Sequence, residues 1–305
     1  MTASTTGKTA LVTGASGFTG RYMVDALKAR GYHVAGFASG DSNADLNLVC
    51  DLTDAAAVCI AVAQVKPDVV VHLAALAFVG HGDAEGFYRV NLFGTLNLLE
   101  ALAALDKPPG KVLLASSANV YGTPDIELID ESVCPAPVNH YACSKLAMEH
   151  MARTWFTRLP IIITRPFNYT GPGQDERFLI PKIVGHFARG ERVIELGNLD
   201  VSRDFSDVAD IVDTYAALLE SDAQGVTLNV CSGNATSLRE IIRMMSELAG
   251  YAIEVRVNPA FVRQNEIPRL RGDNRALRLW IGQSTDPTPQ ISLAPTLQRM
   301  FSHAH

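Results

Sequence analysis

The feature that most limits what this chain can fold into is the turn near its start. A short β-prone run, Thr9 to Thr13 (TALVT), passes directly into Gly14-Ala15-Ser16-Gly17-Phe18-Thr19-Gly20, and a helical pattern covers Gly20 to Arg30. The spacing is G-x-x-G-x-x-G. Between a strand and a helix, such a turn lets backbone N–H groups and the helix N-terminus face a pyrophosphate, and a side chain at a close-approach position blocks that contact. An ordinary glycine-rich turn is the competing explanation, and the flanking strand and helix count against it. Gly7-Lys8-Thr9 has a superficial likeness to a phosphate-binding lysine loop, but it precedes the strand and lacks the upstream glycine. ATP binding by that route is rejected.

The rest of the first half repeats the alternation. Tyr32 to Phe37, Asp68 to Leu73 (DVVVHL), Lys111 to Ala115 (KVLLA) and Pro160 to Thr164 (PIIIT) are predicted strands, with amphipathic helices over Phe87 to Leu105 and Tyr141 to Leu159. Strands that are almost continuous Val, Ile and Leu suit a sheet covered by helices on both faces. The fold class is therefore α/β, a Rossmann-like doubly wound parallel sheet. After Arg165 the rhythm changes: Gly171-Pro172-Gly173 marks a turn, a helix spans about Ile180 to Arg189, and Gly225 to Cys231 (GVTLNVC) returns as one more strand. The expected organisation is an NAD(P)-binding domain over residues 1–166, with a return at about 205–233. A smaller, discontinuous α/β lobe over about 167–204 and 234–305 would hold the substrate.

Composition narrows the partners. Of the 305 residues, 48% are hydrophobic and 19% charged, as in a chain with a sizeable core. A net charge of −6 argues against nucleic acid, while leaving room for a local basic pocket. The five cysteines (Cys50, Cys59, Cys134, Cys143, Cys231) are odd in number and have no Cys-x-x-Cys spacing, so reduced thiols are expected rather than disulfides or a metal site. Met1 to Lys8 has no secretory pattern, and no apolar run reaches the roughly 18 residues of a membrane helix. A cytoplasmic protein without membrane contact is the expectation.

The second strand ends Gly36-Phe37-Ala38-Ser39, with neutral Ala38 where an NAD-preferring site carries an acid for the ribose hydroxyls. A 2′-phosphate is not repelled there, so NADP(H) is favoured; no arginine follows at once and Asp41 lies near, so NAD(H) stays open. Asp51-Leu52 follows a third short strand and suits an adenine amine, with helix capping by Thr53 or Asp54 as the competing role for that turn.

Tyr141 and Lys145 stand at i and i+4 near the start of a helix, on one face. An adjacent cation lowers a phenol's pKa toward operating pH, where it can exchange a proton with a substrate. Ser116-Ser117-Ala118-Asn119-Val120-Tyr121-Gly122 follows strand KVLLA, placing a hydroxyl at a strand C-terminus, where such sheets bind ligands. Alone, each has a bland alternative: a half-buried tyrosine beside a solvated lysine, and a turn serine.

The ordered set of strand-GxxGxxG-helix, Ser-Ser-x-x-x-Tyr-Gly and Tyr-x-x-x-Lys resembles the extended short-chain dehydrogenase/reductase family over essentially the whole chain. The resemblance implies Ser117, Tyr141 and Lys145 as catalytic residues, with Tyr141 the acid/base, Lys145 on the nicotinamide ribose and Ser117 on the reacting oxygen. It also implies a cofactor lined by Gly14, Ser16, Gly17, Phe18, Gly20, Ala38, Ser39, Asp51, Leu52, Leu73, Ala74 and Ala75. His72, in His72-Leu73-Ala74-Ala75, is either a packed strand-end histidine or a ligand contact, and Asn91-Leu92-Phe93-Gly94-Thr95 would brace the fold.

Arg165-Pro166-Phe167-Asn168-Tyr169-Thr170-Gly171-Pro172-Gly173-Gln174 resembles the start of the substrate lobe in nucleotide-sugar members, which implies that Asn168 contacts the diphosphate. Arg203-Asp204-Phe205 resembles a further substrate signature, with Arg203 on phosphate. Arg263, Glu266 and Gly272-Asp273 match the spacing of GDP-sugar enzymes, apart from Gln264 and Pro268, which implies Arg263 on phosphate and Glu266 on ribose or base. Dehydratases of the family place an acid where this chain has Ala118 and Asn119, so dehydration is disfavoured. The segments RPFNYTGPGQ, DVSRDFSDV and NVCSG are most similar to GDP-6-deoxy-D-mannose reductases, which implies reduction of the 4-keto group of a GDP-linked 4-keto-6-deoxyhexose, toward GDP-D-rhamnose. A 4-epimerase that retains NAD and a non-catalytic NAD(P)-binding scaffold are the rivals. Leu92, Leu96, Leu99 and Ala103, with the helix opened by Tyr141, suit a homodimer through a four-helix seam, or equally the subunit's own core.

Overall fold

The structure, a computed structural model, describes residues 7–77, 83–259, 269–284 and 292–304. Its first half runs β1 (Thr9–Thr13), α1 (Phe18–Ala29), β2 (His33–Ala38), β3 (Leu46–Val49), α2 (Ala55–Val65), β4 (Val69–His72), α3 (Ala84–Tyr88), α4 (Thr95–Ala103), β5 (Lys111–Ala115), β6 (Leu128–Ile129) and α5 (His140–Arg153). The second half runs β7 (Ile161–Pro166), β8 (Asn168–Thr170), α6 (Leu179–Ala188), β9 (Val193–Leu196), β10 (Ser202–Asp207), α7 (Val208–Glu220), β11 (Val226–Val230), β12 (Ala235–Ser237), α8 (Leu238–Ala249), β13 (Glu254–Val257), β14 (Arg269–Gly272), α9 (Arg275–Trp280) and α10 (Ala294–His303).

Seven strands form one parallel sheet in the order β11-β7-β5-β4-β1-β2-β3. The chain builds outward from β1 in one direction and from β4 in the other, so the order reverses between those two strands. Side chains alternate across the sheet. Ala10 and Val12 of β1 join the core beneath α1 and α7, whereas Leu11 joins the core beneath α2, α4 and α5. That two-sided burial explains the unbroken apolar runs.

A second sheet runs β12-β10-β14-β6, with β8 also paired to β10. Residues of α6, α8 and α10 pack in a separate apolar cluster around Phe187, Leu196, Ile241 and Leu297. The returning strand β11 lies beside β7 in the main sheet, in the register Asn229 opposite Arg165.

Two helices differ from the sequence expectation. The span from Phe87 to Leu105 is not one α-helix: α3 and α4 flank a π-helical turn at Arg89–Gly94. Thr95 Oγ1 donates to the Asn91 carbonyl at 2.8 Å, occupying an acceptor in that widened turn. The helix opened by Tyr141 stops at Arg153 rather than Leu159. Thr154, Trp155 and Phe156 donate three residues back, and Thr154 Oγ1 takes the Met151 carbonyl at 2.7 Å, tightening the chain out of the α-helix.

Candidate active site

The glycine turn lies beside the reversal point of the sheet, where ligands bind in open α/β folds. Gly14 has φ +71°, and a Cβ on it would lie 2.8 Å from the Ala74 amide nitrogen on the exit of β4. At Gly20 a Cβ would meet the Gly14 carbonyl at 2.0 Å, so this glycine serves close packing of helix on strand. A Cβ at Gly17 meets only the Gly14 oxygen, at 3.2 Å, among all atoms within 4 Å. Helix α1 has Gly17 as N-cap, no side-chain cap and no acid in its first turn, whereas α2, α3, α5, α7 and α8 are capped by Asp54, Asp83, Asn139, Asp207 and Ser237. An uncapped N-terminus beside a bare backbone fits the pyrophosphate of a dinucleotide. Phe18 stacks on Tyr169 with centroids 6.3 Å apart, Tyr169 Oη meets Thr19 Oγ1 at 2.9 Å, and Tyr22 Oη donates to the Pro172 carbonyl at 2.8 Å. These contacts fasten the RPFNYTGP segment to α1, and nothing in the local sequence pattern had pointed to Tyr22 or Tyr169.

Strand β2 ends at buried Ala38, with Ser39 exposed beyond it. Asp51 is exposed and closes a local turn, its Oδ1 accepting from the Thr53 amide at 2.9 Å and from Thr53 Oγ1 at 2.8 Å, while Asp54 caps α2. Leu52 is buried beside it; Leu73, Ala74 and Ala75 are half-buried where β4 leaves the sheet.

His72 is a packed core residue. Thr95 Oγ1 spends its proton on Asn91, so it accepts from His72 Nε2 at 2.8 Å; Thr13 Oγ1 accepts from the Ala74 amide and donates to His72 Nδ1 at 2.7 Å. That chain fixes one neutral tautomer. Burial, aided by the Lys145 charge, depresses its pKa to about 3.

Ser117, Tyr141 and Lys145 are all buried, at 8%, 9% and 3% exposure. Asn139 Oδ1 accepts the Ala142 amide at 2.9 Å, starting α5 immediately before the tyrosine. Lys145 Nζ donates to the Ala115 carbonyl at 2.7 Å, at the end of β5, and Ser117 follows two residues later. Its Oγ accepts from the Asn119 amide at 3.2 Å, capping the short helical turn Ala118–Tyr121. Burial pushes the Tyr141 phenol up to about 12, opposed by hydrogen bonding with Ser117 and helped by Tyr169. The expectation that the lysine sets this phenol is therefore not met: burial dominates, and Tyr141 carries its proton at neutral pH. Burial draws Lys145 down to about 8, and the Glu149 carboxylate opposes that fall. Glu149 and Arg165 form a buried ion pair behind the group, with Nη2 to Oε2 at 2.6 Å. A glutamate at i+4 from Lys145 was the available sequence signal for it.

Of the residues expected to meet the nucleotide of a substrate, two are described, Asn168 and Arg203. Asn168 is exposed at the start of β8, with Nδ2 donating to the Asp204 carbonyl at 3.2 Å. Arg203, half-buried on β10, directs Nη1 to the Ser202 carbonyl at 2.9 Å. The neighbouring Asp204 is fully buried and accepts from the Ser232, Gly233 and Gly272 amides and from Ser232 Oγ, binding three motif segments to one another. Arg263 and Glu266 lie outside the described residues. Among the described residues no cluster of His, Cys, Asp or Glu could hold a metal, and no helix is long and apolar enough to cross a membrane.

Sheet order, reversal point and glycine turn define a Rossmann-like α/β protein of the dinucleotide-binding kind. A family model described as the NAD dependent epimerase/dehydratase family matches residues 10–231, and the chain belongs to that family, within the extended short-chain dehydrogenase/reductases. It is 39% identical over 294 residues to GDP-6-deoxy-D-talose 4-dehydrogenase of Aggregatibacter actinomycetemcomitans, covering 96% of this chain and 97% of that protein. It is 36% identical over 247 residues to GDP-6-deoxy-D-mannose reductase of Pseudomonas aeruginosa, covering 77% and 80%. The solved structure of RMD from Pseudomonas aeruginosa complexed with NADPH superposes with a TM-score of 0.83 at 32% identity, covering 97% of each chain. The relatives it matches in this enzyme family are nucleotide-sugar oxidoreductases and epimerases.

Proposed function

We propose that this enzyme reduces the 4-keto group of GDP-4-dehydro-6-deoxy-D-mannose, using NADPH and forming GDP-D-rhamnose. The observation that carries the reading is the hydrogen bonding of Ser117 with Tyr141, with Lys145 anchored to the Ala115 carbonyl at the C-terminal end of β5. When bound, the nicotinamide supplies the hydride. Ser117 donates a hydrogen bond to the carbonyl oxygen. Tyr141, protonated at neutral pH, gives its proton to that oxygen as the carbonyl becomes an alcohol, and the Lys145 ammonium offsets the charge left on the phenol. Neutral Ala38 at the end of β2, and the NADPH in the similar Pseudomonas structure, support the phosphorylated cofactor. Ala118 and Asn119 are non-ionising, which disfavours dehydration.

The substrate assignment draws on both relatives. Their names point to one keto sugar, because 6-deoxytalose and 6-deoxymannose differ at C4 alone. That also favours a second reading, in which hydride reaches the other face and the product is GDP-6-deoxy-D-talose. In either case residues 167–204 and 234–305 would form the sugar-nucleotide lobe, with Asn168, Arg203, Arg263 and Glu266 on the nucleotide. Free thiols at the five cysteines support a cytoplasmic setting. Leu96, half-buried and outside the core clusters, supports pairing of two copies through α4 and α5; Leu99 belongs to the subunit's own core, and Leu92 and Ala103 pack against that core. A monomer by light scattering at micromolar concentration would remove that pairing.

The decisive assay offers GDP-, dTDP- and UDP-linked 4-keto-6-deoxy sugars with NADPH or NADH and identifies the product. Oxidation of NADPH with the GDP sugar is expected. Oxidation of neither cofactor with any sugar, or turnover without added cofactor, would overturn the proposal.

A further inference from the structure

Beside the Ser117, Tyr141 and Lys145 group lies a buried polar layer of Ser116, Glu149 and Arg165. Glu149 sits one helical turn beyond Lys145 on α5 and is fully buried. Its Oε1 accepts from Ser116 Oγ at 2.6 Å and from Arg165 Nε at 2.9 Å, and its Oε2 accepts from Arg165 Nη2 at 2.6 Å. Ser116 stands between Ala115, whose carbonyl anchors Lys145, and Ser117. Arg165, 2% exposed, reaches across from β7 and covers the Tyr121 ring at 4.8 Å, at the end of the helical turn that Ser117 caps. Tyr121 Oη in turn donates to Asn229 Oδ1 at 2.7 Å on β11. One carboxylate thus connects the helix of the tyrosine and lysine, the strand exit of the serine, and the next strand of the sheet.

We propose that Glu149 is a positioning residue for the reaction, holding the β5 exit that carries Ser117 through Ser116 and balancing the charge of the Lys145 ammonium while Arg165 clamps it in place. The inference rests on the assignment of Ser117, Tyr141 and Lys145 to the reaction. Few charges compete with it. Lys145 feels Glu149 on its own helix and neutral His72 from β4, and its ammonium donates to the Ala115 carbonyl; Glu149 faces Arg165 from β7 and, at 3.9 Å, Arg153 of α5. Glu149→Gln leaves Arg165 and Lys145 as neighbouring buried cations, which favours loss of the lysine proton. Arg165→Met leaves the carboxylate to Lys145, which favours keeping it.

The opposite signs make the test selective. Lysine Cε resonances are titrated by NMR in the protein without substrate, the Lys145 signal being assigned by its loss in Lys145→Met. Glu149→Gln is expected to lower the Lys145 midpoint by about one pH unit or more, and Arg165→Met to raise it by about half a unit or more. The alkaline limb of kcat/KM should move with it. Ser116→Ala, which removes the link without touching charge, should lower kcat about tenfold at unchanged KM and leave the midpoint in place. Midpoints in both charge variants equal to that of the wild type would overturn the proposal; if Glu149→Gln does not fold, Arg165→Met decides alone. Failure of the underlying assignment is separate: it shows as near-normal turnover in Tyr141→Phe.

Discussion

At the scale of single residues, burial rather than charge pairing sets the chemistry. Tyr141 holds its proton because its environment is dry, and Lys145 loses its proton near pH 8 for the same reason. For reduction both must be protonated, so kcat/KM should fall as pH rises through about 8, and a pH-rate profile flat to pH 10 would contradict that. Tyr141→Phe should cost roughly 10²- to 10⁴-fold in turnover with an unchanged circular dichroism spectrum. The identities of these residues were legible in the sequence because Tyr-x-x-x-Lys is a local helical spacing. Their electrostatics were not, because burial in the folded protein is the largest cause of both shifts, and the further push on Tyr141 comes from Tyr169, a residue of a distant segment. The bidentate partner of Glu149 comes from another element, β7, and only the fold brings it into contact.

At the scale of elements, the strands were the most legible part, since a parallel sheet covered on both faces leaves an apolar run at almost every strand. β5 falls where the pattern placed it, Lys111–Ala115, and β11 joins the sheet as the late apolar run suggested. The π-helical turn at Arg89–Gly94 was not legible, because it follows from what Asn91 bonds to: the Leu76 amide and carbonyl and Ser144 Oγ. The polar chain Thr13–His72–Thr95 that joins β1, β4 and α4 makes a prediction at this scale. His72 has a folded pKa of about 3, below its unfolded value of 6.5, so between those values the unfolded chain binds more protons and stability declines as pH falls. At pH 5 the loss from this one group is about 2 kcal/mol. Denaturant unfolding at pH 7 and pH 5 should show it in the wild type and show a smaller drop in His72→Asn; equal drops would exclude the histidine as the cause.

At the scale of the whole molecule, the second sheet is tied to the end of the main one at Asp204 on β10, which accepts from Ser232 and Gly233 beyond β11 and from Gly272 of β14. Sequence resemblance singled out Arg203 of the Arg203-Asp204-Phe205 motif, whereas the fold gives the larger structural part to Asp204, which gathers Ser232, Gly233 and Gly272. Asp204→Ala orphans those buried donors and should cost about 3 kcal/mol or more in unfolding free energy, while an effect below about 1 kcal/mol would show that the hub is dispensable. What stayed illegible at this scale was the substrate side, since the residues expected there come from separate segments that only the fold can bring together. The central claim is net reduction at C4 with Tyr141 as acid. It is tested most directly by running the GDP-keto-sugar reaction with NADPH deuterated at its transferable position and reading the product by NMR. One deuterium at C4 per NADP⁺ formed is the predicted result; a product sugar without deuterium, or one formed without oxidised cofactor, would contradict it.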